Sequence, residues 1–324
     1  MKTLITGGAG FVGSHLAGLL LEKGREVHIL DNLSTGRKEN LGHIRSHPFL
    51  HLHEGSVLDP GTVDPLVAEC GEVYHLAAAV GVWLVIEKPV ETIMTNVRGT
   101  EVVLESARKH GRKVLIASTS EVYGKNKNGA LREGDDRIMG SVTKQRWAYA
   151  NTKTLDEFLA LAYHRQYSLA VVIARMFNTV GPRQTGRYGM VIPNFVRAAL
   201  DGKPIRVFGN GKQTRCFAYV GDVVRCLADL MAHPGAVGHI FNVGNSGEIS
   251  IAALAERVKA LTGSSSPIEF VPYEEAYGEG FEDMERRVPD LTKARDLVGY
   301  EPKVHLDEIL RRVVEYFREN RSAI

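Results

Sequence analysis

The segment that most restricts the fold of this chain is its first. Lys2-Thr-Leu-Ile-Thr6 is an apolar run of strand length, Gly7-Gly-Ala-Gly10-Phe-Val-Gly13 follows it directly, and Ser14 to Lys23 then has helical periodicity. A strand that turns through closely spaced glycines into a helix opens a βαβ unit. Gly7 allows the tight turn, Gly10 lets backbone approach a pyrophosphate at the helix N-terminus, and Gly13 permits close packing of helix on sheet.

The same alternation continues downstream. Val27 to Leu30, Val73 to Leu76, Val114 to Ser118 and Ala170 to Arg175 are strand-length apolar runs, and Asn96 to His110 and Tyr149 to Tyr167 read as helices. This predicts an α/β fold with a doubly wound parallel (Rossmann) sheet over residues 1–180. Beyond Gly181-Pro182 the pieces shorten and Gly and Pro become more frequent, which predicts a smaller α/β substrate-binding region over 181–324, with parts returning to the first domain. Leu306, Ile309, Leu310, Val313, Val314 and Phe317 have the spacing of a final amphipathic helix.

The second strand ends at Asp31, 18 residues past Gly13, where a carboxylate can accept both hydroxyls of an adenosine ribose. That charge repels a 2′-phosphate, and Asn32 supplies no arginine to welcome one, so the cofactor expected is NAD. A purely structural glycine turn is the alternative.

Composition narrows the partners. The 324 residues carry a net charge of +2 without basic tracts, so nothing draws the chain globally to nucleic acid or to a membrane. No apolar run approaches the roughly 20 residues of a membrane span, and the first residues enter a strand without an export leader. A cytoplasmic protein is expected. Cys70, Cys216 and Cys226 have no metal-ligand spacing and are expected as reduced thiols. His51-Leu-His53 suits strand alternation, and with no carboxylate or cysteine cluster beside it in sequence, no metal site is predicted.

Tyr149-Ala-Asn-Thr-Lys153 lies downstream of Ser118-Thr119-Ser120-Glu121. Residues four apart share a helix face, so the Lys153 ammonium can stabilise a Tyr149 phenolate. The pair reads as a proton-transfer device next to a dinucleotide site.

With these residues placed, the GxxGxxG spacing and further motifs resemble the extended short-chain dehydrogenase/reductases that remodel nucleotide sugars. The likeness runs nearly end to end, through Asp31-Asn-Leu-Ser-Thr-Gly36, His75-Leu-Ala-Ala-Ala79, Arg175-Met-Phe-Asn178, Gly181-Pro-Arg183, Arg215-Cys-Phe-Ala-Tyr-Val-Gly-Asp222 and Phe241-Asn-Val-Gly244. It implies oxidation of the sugar at C4, with Tyr149 as base, Lys153 lowering its pKa and holding the nicotinamide ribose, and Thr119 holding the hydroxyl. It also implies NAD contacts from Gly7, Gly10, Phe11, Val12, Gly13, Asp31, Asn32, Ser34, Thr35, Gly36, Ser56, Val57, Leu76, Ala77 and Ala78. Asn178 and Arg215 match diphosphate-binding positions, and Val191 and Phe208 match positions beside a uracil base, although Phe208 can also be read as core. A homodimer built partly on the Asn96 and Tyr149 helices is expected from the same likeness.

The subfamily turns on a few positions. Ser120 stands where many 4,6-dehydratases carry an acidic Asp, and simple epimerases usually lack Glu121. Gly140-Ser-Val-Thr-Lys-Gln-Arg-Trp147 and Tyr277 to Asp290 resemble UDP-glucuronate decarboxylases and UDP-apiose/UDP-xylose synthase, in which the Arg before Pro289's segment, here Arg287, faces the glucuronate carboxylate. The alternative is that Arg286 and Arg287 pair on the surface with Glu282, Asp283 or Glu285. Ser56 in place of an Asp, Val288 in place of a Lys and the stretch Val80-Gly-Val-Trp83 depart from that pattern. The reading is an NAD-dependent UDP-glucuronate decarboxylase, with Ser120 and Glu121 managing water and reprotonation. Its rivals are a UDP-glucose or UDP-glucuronate 4-epimerase, an NDP-sugar 4,6-dehydratase, and a non-catalytic NAD-binding regulator.

Overall fold

A computed structural model describes residues 1–320 except 82–86, 127–128, 187–188 and 278–281. Six of its strands are β1 (Lys2–Thr6), β2 (Glu26–Asp31), β3 (Leu50–Glu54), β4 (Glu72–His75), β5 (Lys113–Thr119) and β6 (Val171–Met176). With the strand His239–Val243 they form one seven-stranded sheet in the order 3-2-1-4-5-6 followed by that last strand, and every pair is parallel.

Parallel strands buried on both faces need apolar residues at successive positions, and the pleat then deals them to two cores. Ile5, Val27, Ile29, Leu115, Val172 and Ala174 face one core. It is shared with helix α1 (Phe11–Glu22) and the helix Val220–Ala232. Leu4, Leu30, Val114, Ile116, Val171 and Ile173 face the other. That core lies under helix α2 (Pro60–Glu69) and the helices Pro89–His110 and Ala148–Tyr167. A third core, away from the sheet, joins the helices Val191–Leu200, Ile251–Thr262 and Leu306–Glu319. Ile309, Leu310, Val313, Val314 and Phe317 are all buried there, as their spacing requires.

Two helices start earlier than the sequence indicates. The first begins at Phe11, not Ser14, because Gly10 in extended conformation already serves as its N-cap. The Asn96 helix begins at Pro89, whose fixed φ and missing N–H suit a first helical turn. The strand reading of His51-Leu-His53 holds in β3, but the expectation that no carboxylate accompanies the pair is corrected. Register sets His51 beside His28 of β2, and Glu26, two residues earlier on the same pleat face, joins them. All three cysteines are free and buried. Among the described residues no helix is long and apolar enough to cross a membrane.

Candidate active site

Strand order reverses between β1 and β4, so the loops leaving their C-terminal ends diverge and open a crevice. The glycine loop forms its floor. A Cβ on Gly7, whose φ is +71°, would lie 2.8 Å from the backbone of Ala77, and one on Gly13 would lie 2.3 Å from the carbonyl oxygen of Gly7. Only a chain without side chains at these points lets the β1 and β4 loops close up and leaves backbone facing the crevice.

Asp31 closes the adenosine end. Its Oδ2 accepts from Ala9 N at 2.9 Å and its Oδ1 from Leu33 N at 2.8 Å, which leaves each oxygen a lone pair for a ribose hydroxyl. Gly7, Gly10, Phe11, Val12, Gly13, Asp31, Asn32, Ser34, Thr35, Val57, Leu76, Ala77 and Ala78 all line a cavity of about 1290 Å³. Three expected residues do not. Gly36 sits under Asp31, where a Cβ would meet the carboxylate at 2.8 Å. Ser56 turns away and accepts from Leu58 N, while the third, Lys153, is buried beyond the wall. The loop without side chains and the doubly braced carboxylate fit a dinucleotide.

The reacting end of the same cavity is lined by Thr119, Ser120, Glu121, Tyr149, Asn178, Arg215 and Arg287, with Val191 and Phe208 farther along. Thr119 ends β5 and caps the following turn through Glu121 N, which throws Ser120 and Glu121 into the crevice. Tyr149 opens its helix, and its phenol hydrogen-bonds Thr119.

Lys153, expected to steady the phenolate, is ion-paired in this structure. Its Nζ donates to Asp156 Oδ2 at 2.7 Å, and both side chains are almost wholly buried. An ammonium taken out of water is satisfied better by a carboxylate one turn away than by a neutral phenol. Burial, then the charges of Glu121 and Asp156, accordingly push the Tyr149 phenol well above its ordinary range.

Three arginines and two carboxylates make up the opposite wall. Arg146 donates to Glu121 Oε2 at 2.5 Å and reaches Asp283 Oδ1 at 3.5 Å. Arg215 donates to Asp283 Oδ2 at 2.8 Å. Arg287 donates to Glu121 Oε1 at 3.4 Å and to Asn178 Oδ1, and its buried Nε has no hydrogen-bond partner. Three positive charges against two negative leave an excess of one, which suits an anion. Burial raises the Glu121 carboxyl, but Arg146 and Arg287 outweigh it and hold it below its ordinary value, so Glu121 is ionised. Burial, with Arg215 nearby, brings Arg287 down to about 10, still cationic at neutral pH.

Arg287 owes its inward position to a short sheet. The strand Arg286–Arg287 pairs in parallel with Thr214–Cys216, which sets Arg287 beside Arg215 and Arg286 beside Thr214. Arg286 then faces solvent and pairs with Glu248 at 2.9 Å, a surface ion pair with a partner outside the three that were expected. Asn178 and Arg215, expected at a diphosphate, are engaged here by protein groups: Asn178 Nδ2 donates to Cys216 O at 3.0 Å. Sequence reasoning assigned no role to Arg146 or Asp156 and offered Asp283 only as a surface partner of Arg286 or Arg287. Arg146 and Asp283 lie outside any repeating pattern, whereas Asp156 had a readable signal, its helical i+3 spacing from Lys153. Trp83 and the 278–281 part of the Tyr277 to Asp290 motif lie outside the described residues.

Known proteins share this architecture. The GDP-mannose 4,6 dehydratase family model matches residues 4–313. A UDP-N-acetyl-alpha-D-glucosaminuronate decarboxylase of Bacillus cytotoxicus is 44% identical over 98% of this chain and 98% of its own. UDP-glucuronic acid decarboxylase 1 of Arabidopsis thaliana is 41% identical over 98% of this chain and 70% of its own. Among solved structures, a dTDP-glucose 4,6-dehydratase from Streptomyces venezuelae with NAD bound superposes with a TM-score of 0.90 at 31% identity, covering 99% of this chain and 98% of that one. The crevice at the strand reversal, the tyrosine at its mouth and a likeness that spans the whole chain lead to one assignment: the protein belongs to the GDP-mannose 4,6 dehydratase family of extended short-chain dehydrogenase/reductases.

Proposed function

We propose that this chain is an NAD-dependent decarboxylase of a uridine-diphosphate hexuronate, with UDP-glucuronate as substrate and UDP-xylose or its 4-keto precursor as product. The observation that carries the reading is Arg287, a buried guanidinium on the wall of the same cavity as Tyr149, in a cluster of three arginines against two carboxylates. The excess positive charge there is matched by a carboxylate.

NAD, which the glycine loop and Asp31 would hold, would accept the hydride from the sugar C4. Formation of UDP-xylose rather than the 4-keto sugar would require the same hydride to return to C4. Tyr149 takes the proton of the C4 hydroxyl, its phenolate steadied by Lys153 and by the positive charge a bound nicotinamide would add, while Thr119 fixes that oxygen. The new carbonyl stands β to the C6 carboxylate, so the C5–C6 bond breaks, its electron pair enters the carbonyl and carbon dioxide leaves. Arg287 orients the carboxylate without over-stabilising it, because Glu121 and Asn178 already share its outer nitrogens. Because Glu121 is ionised, the proton returned to C5 comes through Ser120 and water. Arg215 and Asn178 are assigned to the diphosphate, Val191 and Phe208 to the base, and residues 181–324 to substrate binding, apart from the helix Val220–Ala232 and the strand His239–Val243, which return to the first domain.

A second reading, an N-acetylated hexuronate, is favoured by the 44% identity to the Bacillus protein. Purified protein supplied with NAD and each UDP-sugar in turn, followed by mass spectrometry and NMR, tests both. Carbon dioxide release from a UDP-hexuronate is expected. Turnover to UDP-galacturonate without gas release would replace the decarboxylase with a 4-epimerase.

The protein is further assigned to the cytosol, in keeping with three free thiols, and to a homodimer. Val90, Ile93 and Met94 on one helix and Leu155 and Phe158 on another are exposed apolar residues at i, i+3 and i+4 spacing. Phe158→Glu with Met94→Glu is expected to give a monomer by light scattering, and a wild type that is already monomeric would remove the dimer.

A further inference from the structure

A second cluster lies at the sheet edge, and its members do not line the cavity. Successive side chains of a strand alternate faces, so Glu26 and His28 of β2 share a face with each other, as do His51 and His53 of β3. Register places His28 beside His51. Glu26 Oε1 is 3.2 Å from His51 Nε2 and 3.5 Å from His28 Nε2, and the three donor atoms all lie within 4.8 Å of one another.

His28 is the member that asks for an explanation. It is only 4% exposed, yet its Nε2 has no hydrogen-bond partner. A buried polar nitrogen left in that state is costly. The nearest acceptor, Glu26 Oε1 at 3.5 Å, is too far for a good hydrogen bond from Nε2. A cation between Nε2 and Glu26 satisfies both. The other ring nitrogen is already committed, since His28 Nδ1 lies 3.2 Å from His53 Nε2. With the proton on Nδ1, the Nε2 lone pair points at the cluster, which is how an outer partner fixes a ligand's tautomer.

We propose that Glu26, His28 and His51 form a binding site for a divalent transition-metal ion of the zinc class, with His53 as the outer partner of His28 and water as the fourth ligand. Bonds of roughly 2.0–2.1 Å in a tetrahedron set ligand atoms about 3.3 Å apart, and the 3.2 and 3.5 Å separations straddle that value. Two imidazoles and one carboxylate suit zinc, whereas calcium and magnesium ask for oxygen throughout. Lys2, 3.6 Å from Glu26 Oε1, has Glu69 as its second partner and stays paired there when the ion enters. The ion would tie edge strand β3 to β2, a structural role away from the reaction.

The test uses the untagged 324-residue chain, stripped with a chelator and then titrated with zinc. About one ion per chain and a raised melting temperature are expected, and cobalt in its place should show the visible bands of a four-coordinate ion. His51→Ala and Glu26→Gln, both at partly exposed positions, should each weaken zinc binding by about tenfold or more, and His53→Ala by about tenfold. NAD affinity serves as the control for folding and should not change. Failure to bind zinc stoichiometrically, or equal affinity in wild type and the His51 and Glu26 variants, would overturn the site.

Discussion

Lys153 and Asp156 are closed on each other by a 2.7 Å ion pair one helical turn from Tyr149, with both side chains out of water. The ammonium expected to steady the phenolate is therefore already compensated. Asp156→Asn removes one of the charges that raise the Tyr149 phenol, so the acid limb of the pH–rate profile should move to lower pH, the base being the deprotonated form. Leaving Lys153 buried and unpaired should also cost about 3 kcal/mol of stability. An unmoved limb would show that Asp156 does not act on the phenol.

Glu121 and Asp283 link the site to acid stability. Both are held below their ordinary values of 4.5 and 3.8, against the effect of burial, by the arginines around them. A depressed carboxyl stabilises the fold above its unfolded pKa, and that contribution drains away as pH falls through the lower folded value. Melting temperature should drop with pH below about 4.5, and Glu121→Gln should flatten the drop as well as lower stability at neutral pH. A variant whose melting curve keeps the wild-type pH slope would remove Glu121 from this linkage.

Gly13→Ala should abolish the cofactor loop. The added carbon would stand 2.3 Å from a backbone oxygen that cannot swing aside. A loss of about 1–3 kcal/mol of stability is expected from such overpacking, together with at least a roughly hundredfold loss of NAD affinity by calorimetry. Binding within about twofold of wild type would show that the loop can yield.

Arg287→Ala should reduce kcat/KM for a UDP-hexuronate by about 30-fold or more, the effect of removing one partner of a buried charge pair. Turnover of any uncharged UDP-hexose should fall far less. Equal losses on both would mean that Arg287 does not meet a carboxylate.

Much of the framework is legible in the sequence for a physical reason. Strands buried on two faces read as apolar runs, as Val114-Leu-Ile-Ala117 of β5 and Val171-Val-Ile-Ala174 of β6 do, while shorter apolar stretches mark β1, β2 and β4. The front of the Pro89–His110 helix was hidden because Val90, Ile93 and Met94 put apolar residues on its outward face, which blurs the helical pattern. Tyr149, Glu121 and the glycines are short-range motifs and can be read directly. Arg146 meets Glu121 and Asp283 across 25 and 137 positions of chain, and nothing local announces such a meeting. Lys153 shows the limit of spacing as a guide: i+4 brings it near Tyr149, while i+3 gives it Asp156, and the charge decides.

The tandem Arg286-Arg287 gives the short sheet a second meaning. In a strand, parity alone determines which of two adjacent side chains turns inward. Deleting or inserting one residue between Met284 and Arg286 would exchange their roles, sending Arg287 to the solvent and offering Arg286 to the sugar, with composition nearly unchanged. The Glu248 clasp on Arg286 resists that slip. On the proposed role of Arg287, fidelity toward a charged sugar would depend on a strand of two residues keeping count, and a one-codon length change there would be a sharper lesion than many substitutions in the pocket itself.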